Sequence, residues 1–170
     1  MTIFSKIKIL KKRPDTTELY SKIVRQARQL EFYQILGVPD TTNGRFDLIA
    51  LHAFIVMKRL KSLGEVGEIL SQSLFDCMFT DIDTNLREMG VGDISVGKKV
   101  KSLASAYYGR VKAYEEALLR ADEAIEAAFK RNLYLDTKPS TKQLPTMVNY
   151  LREQVAKSEN WSIENIDRYT

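Results

Sequence analysis

A chain of 170 residues, 44% hydrophobic and 28% charged, has the length and balance of one globular domain with a core of its own, and is neither disordered nor collagenous in composition. One Cys (Cys77) and one His (His52) exclude an intrachain disulfide framework, multi-Cys zinc sites and any site built on two or three histidines, and the lone cysteine agrees with a reducing compartment. The net charge of +4 is uneven: residues 1–30 hold eight Lys or Arg against two acids, so they carry +6 and the remainder about −2.

Residues 1–13 (MTIFSKIKILKKR) place Ile3, Phe4, Ile7, Ile9 and Leu10 among Lys6, Lys8, Lys11, Lys12 and Arg13. Such a basic amphipathic arm suits an anionic membrane surface; the alternatives are a frayed terminus or an arm packed on the body. Pro14 ends it. Asp15 and Glu18 are spaced as a capping box for a helix running to about Leu30, with Leu19, Tyr20, Ile23, Val24, Ala27 and Leu30 inward. Glu31 to Leu36 read as a further turn ended by Gly37, and 39–44 (PDTTNG) as a loop. Asp47 to Leu63 is apolar nearly all round, the pattern of a helix at the centre of a bundle.

The next helix, Glu65 to Met89, repeats Leu70, Leu74, Phe75, Met78, Phe79, Ile82, Leu86 and Met89 at spacings of three and four, with Asp76, Asp81, Asp83 and Glu88 off that stripe. Gly90 and Gly92 stop it, and Gly90 to Gly97 read as a loop with Asp93 or Ser95 as the next cap. Val100, Leu103, Tyr107, Val111, Tyr114 and Leu118 share one face of the following helix, which can run on through Ile125 and Phe129, with Gly109 as a possible bend. Residues 135–142 form a linker, and Pro145 fits the first turn of a short helix to about Lys157. Ser162 is placed to cap a last turn bearing Ile163 and Ile166. No run alternates with period two. The expected fold is all-α, a compact bundle of about six helices with short loops and no sheet. It divides into an arm (1–14), a helical domain (15–134), and a linker with short helices packed on that domain (135–170).

No stretch is long and apolar enough to span a bilayer: 48–57 is the longest nearly apolar run, interrupted by His52, where about 20 residues are needed. No secretory signal is present, so a role at a membrane is a role at its surface. Enzyme chemistry finds little footing. Residues 92–99 (GDISVGKK) match GxxxxGK, but Lys99 stands where a magnesium-binding Ser or Thr belongs and a helix precedes the motif instead of a strand. Asp81 and Asp83 point to different faces of a helix and make no two-carboxylate metal site. His52 lies in an apolar helix, the setting of a buried His bonded to a carbonyl or carboxylate, with nothing to bring it to Cys77 as base to nucleophile. No catalytic residue, metal ligand or cofactor is expected. Lys98, Lys99, Lys101, Arg110 and Lys112, interleaved with Tyr107 and Tyr108, can be read as a nucleic-acid face or as partners in ion pairs with the acidic helix before them.

Three blocks carry a resemblance: residues 19–54 (LYSKIVRQARQLEFYQILGVPDTTNGRFDLIALHAF), residues 70–110 (LSQSLFDCMFTDIDTNLREMGVGDISVGKKVKSLASAYYGR) and residues 113–118 (AYEEAL). The chain resembles the ubiquinol–cytochrome c chaperone family over about Leu19 to Tyr134. The resemblance implies a non-enzymatic assembly factor for respiratory complex III that binds newly made cytochrome b. It implies possible ribosome association, as for mitochondrial members that work with a small partner protein, and no specific DNA binding. The short lead before the domain points to a bacterial member, cytoplasmic and peripheral to the inner membrane (matrix side if mitochondrial).

A holder of a nascent membrane subunit needs an accessible, deformable apolar surface, which Met and Phe supply. The candidate partner-binding groove is Phe75, Met78 and Phe79 with Phe46 and Phe54, rimmed by Arg45, Asp47, Asp76, Asp81, Asp83 and Arg87; for each aromatic the alternative is core packing. The rival to this reading is a ribosome- or RNA-associated factor using the arm and the Lys98–Lys112 face.

Overall fold

From Asp47 to Met57 every side chain except the half-buried Ile49 is enclosed, which makes one helix the axis on which the others pack. The computed structural model describes residues 14–135, 137–166 and 169. These form α1 (Thr16–Ala27), α2 (Leu30–Gln34), α3 (Thr42–Lys61), α4 (Glu65–Glu88), α5 (Asp93–Leu118), α6 (Asp122–Asn132) and α7 (Gln143–Ser158). Six of these helices have eleven residues or more and α2 is a single turn of five, with no strand among the described residues, so the fold is the all-α bundle the patterning predicts.

The axial helix, α3, divides its surface between two cores. Leu48, Leu51, Phe54 and Ile55 pack with α2, the second half of α5, α6 and α7 around Tyr114, Phe129 and Leu151. Ala50, Ala53, Val56, Met57 and Leu60 pack with α1 and α4 around Ile23, Leu74 and Met78. Trp161, Ile166 and Tyr169 close the second core, and Arg59 of α3 holds that tail by donating from Nε and Nη2 to the Trp161 carbonyl at 2.8 and 2.5 Å. The stretch after Asn132 is thus part of both cores: Gln143 Nε2 donates to the Ile35 carbonyl at 2.9 Å and the Tyr134 hydroxyl to the Leu36 carbonyl at 2.7 Å.

The helix ends follow local chemistry, with some departures from the sequence pattern. Asp15 caps α1, its carboxylate accepting from the Thr17 amide at 2.8 Å, while Glu18 pairs with Lys22 at 3.5 Å and does not complete a capping box. The helix stops at Ala27, so Leu30 opens α2 and is 66% exposed, where an inward position was expected. The loop before α5 is shorter than expected: Gly92 is the cap and Asp93 already lies in the first turn, where its carboxylate faces the positive helix end and binds Arg87. A break at 119–121 separates α5 from α6, and Gly109 sits mid-helix without interrupting it.

Two glycines matter to the packing. Gly64 takes φ +77° to turn the chain from α3 into α4. Gly67, in the first turn of α4, lies against the end of α3, where a Cβ would stand 1.9 Å from the Leu60 carbonyl oxygen. Gly67→Ala is therefore expected to push the two helices apart and to lower stability by about 1–3 kcal/mol in urea unfolding. A neutral or stabilising result, as expected for Ala in a free helical turn, contradicts the close approach.

Candidate functional site

The stripe of α4 is buried along Leu70, Leu74 and Met78, and each flank of that stripe lines an opening. On one flank, Phe75 and Phe79 (centroids 4.6 Å apart) meet α5. Phe75 stacks on Tyr108 at 5.4 Å and lies 5.8 Å from Tyr107. Phe75 meets Tyr107 while Glu68 and Ser71, earlier in α4, line the same cleft as Val111, so α4 and α5 run antiparallel. Between them is an open cleft of about 320 Å³, lined by Met57, Phe75, Tyr107, Tyr108 and Val111 with Lys61, Glu68 and Gln72 at its edge. Tyr108 is 54% exposed and Phe75 half-buried, so both rings present a face to solvent. Tyr107 forms the wall, its hydroxyl donating to the Met57 sulfur at 3.0 Å, and burial pushes its pKa up.

The other flank faces α1. A groove of about 890 Å³ runs between the helices, lined among others by Thr17, Tyr20, Asp76, Cys77, Asp81 and Thr84. The Tyr20 hydroxyl donates to Asp81 Oδ2 at 2.8 Å; burial and this carboxylate both push the phenol pKa up. Burial likewise raises the Cys77 thiol.

The residues expected to form one groove and its rim are thus distributed. Phe75 and Phe79 come together at the aromatic cleft. Met78 and Phe54 are enclosed, 0% and 1% exposed, in the second and first cores, Phe54 against Tyr114 at 5.6 Å; both present no surface to a partner. Phe46 is half-buried under the Arg110 guanidinium, 5.3 Å from its ring centroid. Asp47 is buried beside it and bound to Arg110 Nη2 at 2.5 Å, where a rim position was expected. Arg45 is exposed and held by Asp40 at 2.7 Å, which lowers the Asp40 carboxyl pKa and raises that of Arg45. Asp76 and Asp81 border the α1 groove. Asp83 binds Arg87 at 2.6 Å near the end of α4, and Arg87 also binds Asp93. Lys6, Lys8, Lys11, Lys12 and Arg13 lie outside the described residues.

The expected ion pairs between the acids of α4 and the bases of α5 do not form among the described residues, because Arg110 turns inward to Asp47 and Asp83 is taken by Arg87 on its own helix. The nucleic-acid face thereby loses one of its five cations. Met57, Tyr107, Tyr108 and Val111 were not assigned to the site from sequence. Their signal was present: two adjacent aromatics on one helix cannot share a face, so one of Tyr107 and Tyr108 has to look outward.

His52 is fully buried. Nδ1 lies 2.7 Å from the Leu48 carbonyl and therefore carries the proton, while Nε2 accepts from the Tyr150 hydroxyl at 2.8 Å. Burial lowers its pKa to about 4, outweighing the carbonyl contact that raises it. Cys77 lies on the α1 groove, in neither of these contacts. Residues 92–99 enter α5 directly from the loop after α4 and form no strand–loop–helix cradle. Among the described residues no three His, Cys, Asp or Glu side chains gather in a metal-binding group.

Two tests follow from these buried polar groups. The depressed His52 pKa favours the fold above pH 6.5 and that contribution is lost as pH falls toward 4, about 3 kcal/mol in all. His52→Gln can keep both hydrogen bonds without titrating, so urea midpoints between pH 7 and 4 should fall less steeply than in the wild type; parallel profiles contradict the assignment. Asp47→Asn strands Arg110 and should cost roughly 3 kcal/mol of stability. An unchanged melting curve would return Asp47 to the surface.

A model of the family described as Ubiquinol-cytochrome C chaperone matches residues 34–167, reaching past Tyr134 through α7. Ubiquinol-cytochrome-c reductase complex assembly factor 1 of Xenopus laevis is 27% identical over 81% of this chain and 68% of its own length. The human protein of that name is 26% identical over 87% of this chain and half of its own length. Protein CBP3, mitochondrial, of Saccharomyces cerevisiae is 28% identical over 73% and 38%. The chain thus spans from about two thirds to well under half the length of these relatives. The crystal structure of the Cbp3 homolog from Brucella abortus superposes with a TM-score of 0.79 at 34% identity, covering 91% of this chain and 85% of that one.

Proposed function

The chain belongs to the ubiquinol–cytochrome c chaperone family, and from that premise we propose that it holds newly made cytochrome b for assembly into ubiquinol–cytochrome c reductase, gripping an apolar side of the client in the cleft between α4 and α5. The observation that carries this reading is the pair of solvent-facing rings, Phe75 and Tyr108, over a Met57 floor. An apolar helix seats one or two anchor side chains in such a cleft, with neighbouring anchors at i+3 or i+4 lying along its edge. Thioether and aromatic walls adapt to anchors of different shape, which suits a holder that must also let go. Lys61 and Glu68 at the edge give the client a polar rim of both signs.

The role is binding and release, with no bond made or broken by the chain. Among the described residues no helix is long and apolar enough to cross a membrane. A client that is itself a membrane subunit then places the encounter at the membrane surface.

The test is complementation of a strain lacking this chain. Reduced-minus-oxidised spectra of its membranes should show a selective loss of the b-type haem of the complex, restored by the wild-type chain and restored by less than a third by Tyr108→Ala, whose melting temperature stays within a degree or two. Normal haem content without the chain sinks the assembly role. Full rescue by Tyr108→Ala and by Phe75→Ala removes the cleft from it.

A further inference from the structure

α5 borders two openings. Tyr107, Tyr108 and Val111 line the aromatic cleft, while Gly109, Lys112, Glu116 and Arg120 share an adjoining face, since successive helical residues stand about 100° apart. That face meets Ala124, Ala127 and Arg131 of α6 across a surface groove of about 270 Å³. Gly109 and the two alanines of α6 keep the groove open between its longer side chains. Those side chains are three cations, Lys112, Arg120 and Arg131, and one carboxylate, Glu116. The excess of positive charge is a property of the residues present in the lining, and all four are exposed.

The cations are spread along the groove. Tyr114 of α5 meets Phe129 of α6 at 5.7 Å, and the chain reverses over the short break at 119–121, so the two helices run antiparallel. Two residues from that contact, in opposite senses, Lys112 and Arg131 stand at one level on facing walls. Arg120 lies about 12 Å further along α5. The next acid after it, Asp122, is taken up by Arg152 at 2.6 Å. Beside Arg120, Leu119 is 88% exposed in the break between the helices. We propose that the groove between α5 and α6 is a headgroup site for anionic phospholipid, with Lys112, Arg120 and Arg131 on the phosphates and Leu119 entering the bilayer interface beside them.

The chemistry favours a lipid surface over a nucleic acid. Lys and Arg suit any phosphate, but single-stranded RNA is also held by stacking on rings, and among the described residues no aromatic side chain lines this groove. An exposed Leu at the end of a row of cations is an apolar anchor for a bilayer interface and adds nothing to the binding of a free phosphate. The leaflet's negative potential attracts each nearby Lys or Arg, and their long stems let the charged heads reach out from the groove walls. Docking through this face sets α5 against the membrane and leaves the aromatic cleft opening to the side, about a quarter turn around the same helix. The site rests on its own lining residues and not on the client proposed for the cleft.

The test is co-sedimentation of the purified full-length protein with phosphatidylcholine vesicles, with and without about 30% phosphatidylglycerol. The wild type should partition at least tenfold more strongly onto the anionic vesicles. Each Lys or Arg near such a surface is worth about fivefold. Lys112→Gln, Arg120→Gln and Arg131→Gln together should therefore weaken that binding at least thirtyfold, whereas Lys112→Arg, Arg120→Lys and Arg131→Lys together should stay within threefold of the wild type. Lys98→Gln, Lys99→Gln and Lys101→Gln, the same charge change at exposed positions near the other end of α5, should cost less than fivefold. Leu119→Ser should weaken binding by threefold or more. All these positions are exposed, so the variants should melt with the wild type. No anionic preference in the wild type, undiminished binding by the groove variant, or equal losses from the two triple neutralisations would each overturn the proposal. Groove-dependent binding of single-stranded RNA without binding to vesicles would do the same. No cytochrome b enters the assay, so its failure leaves the client-binding reading in place.

Discussion

The burial of α3 on all sides is the constraint from which the rest of the architecture follows. A helix enclosed from Asp47 to Met57 can carry polar groups only if each one is matched, and this one carries two. His52 is satisfied along its length by the Leu48 carbonyl and across the bundle by Tyr150 of α7. Asp47 is ion-paired with Arg110 of α5, whose guanidinium also lies over Phe46 and donates to the Ala106 carbonyl at 3.0 Å. These two matches fix how α5 and α7 sit on the axis. An apolar helix alone would tolerate many rotations; a buried His and a buried carboxylate tolerate few, and leaving either unmatched is costly.

With α3 fixed, α4 has one position left. Gly64 turns the chain and Gly67 lets the first turn of α4 approach the end of α3. The buried stripe Leu70, Leu74, Met78 then packs on α3, and the two flanks of α4 face α1 and α5. The division of labour between the flanks is chemical. Rings and a thioether line the α5 side, hydroxyls and carboxylates the α1 side.

The helices were legible in the sequence because their signals are local. Period, caps and glycines give the axial helix, the turn at Gly64, the stop at Gly90 and the start of α7 near Pro145. The site was less legible, for a reason visible residue by residue. The α4 stripe is wider than one contact, and spacing alone does not tell Met78, which faces α3, from Phe75, one turn away and facing α5. Asp47 read as a rim charge because its partner, Arg110, lies 63 positions along the chain. Tyr108 was seen as part of a basic face, although its exposure beside the buried Tyr107 is what opens the cleft. The family resemblance is read over about Leu19 to Tyr134, α1 through α6, whereas the family match reaches through α7, whose own sequence offers little more than a short amphipathic helix.

The proposed grip puts a client side chain in the space between Phe75 and Tyr108. The most direct measurement is photo-crosslinking from a benzoylphenylalanine at position 108 in the full-length protein, during synthesis of cytochrome b in membranes of the strain that makes this chain. The expected result is a crosslink to newly made cytochrome b that disappears as the complex matures, and none from the same probe at position 94, which is more exposed but outside the cleft. Equal yields from the two positions, or crosslinks from 108 only to other proteins, would contradict it.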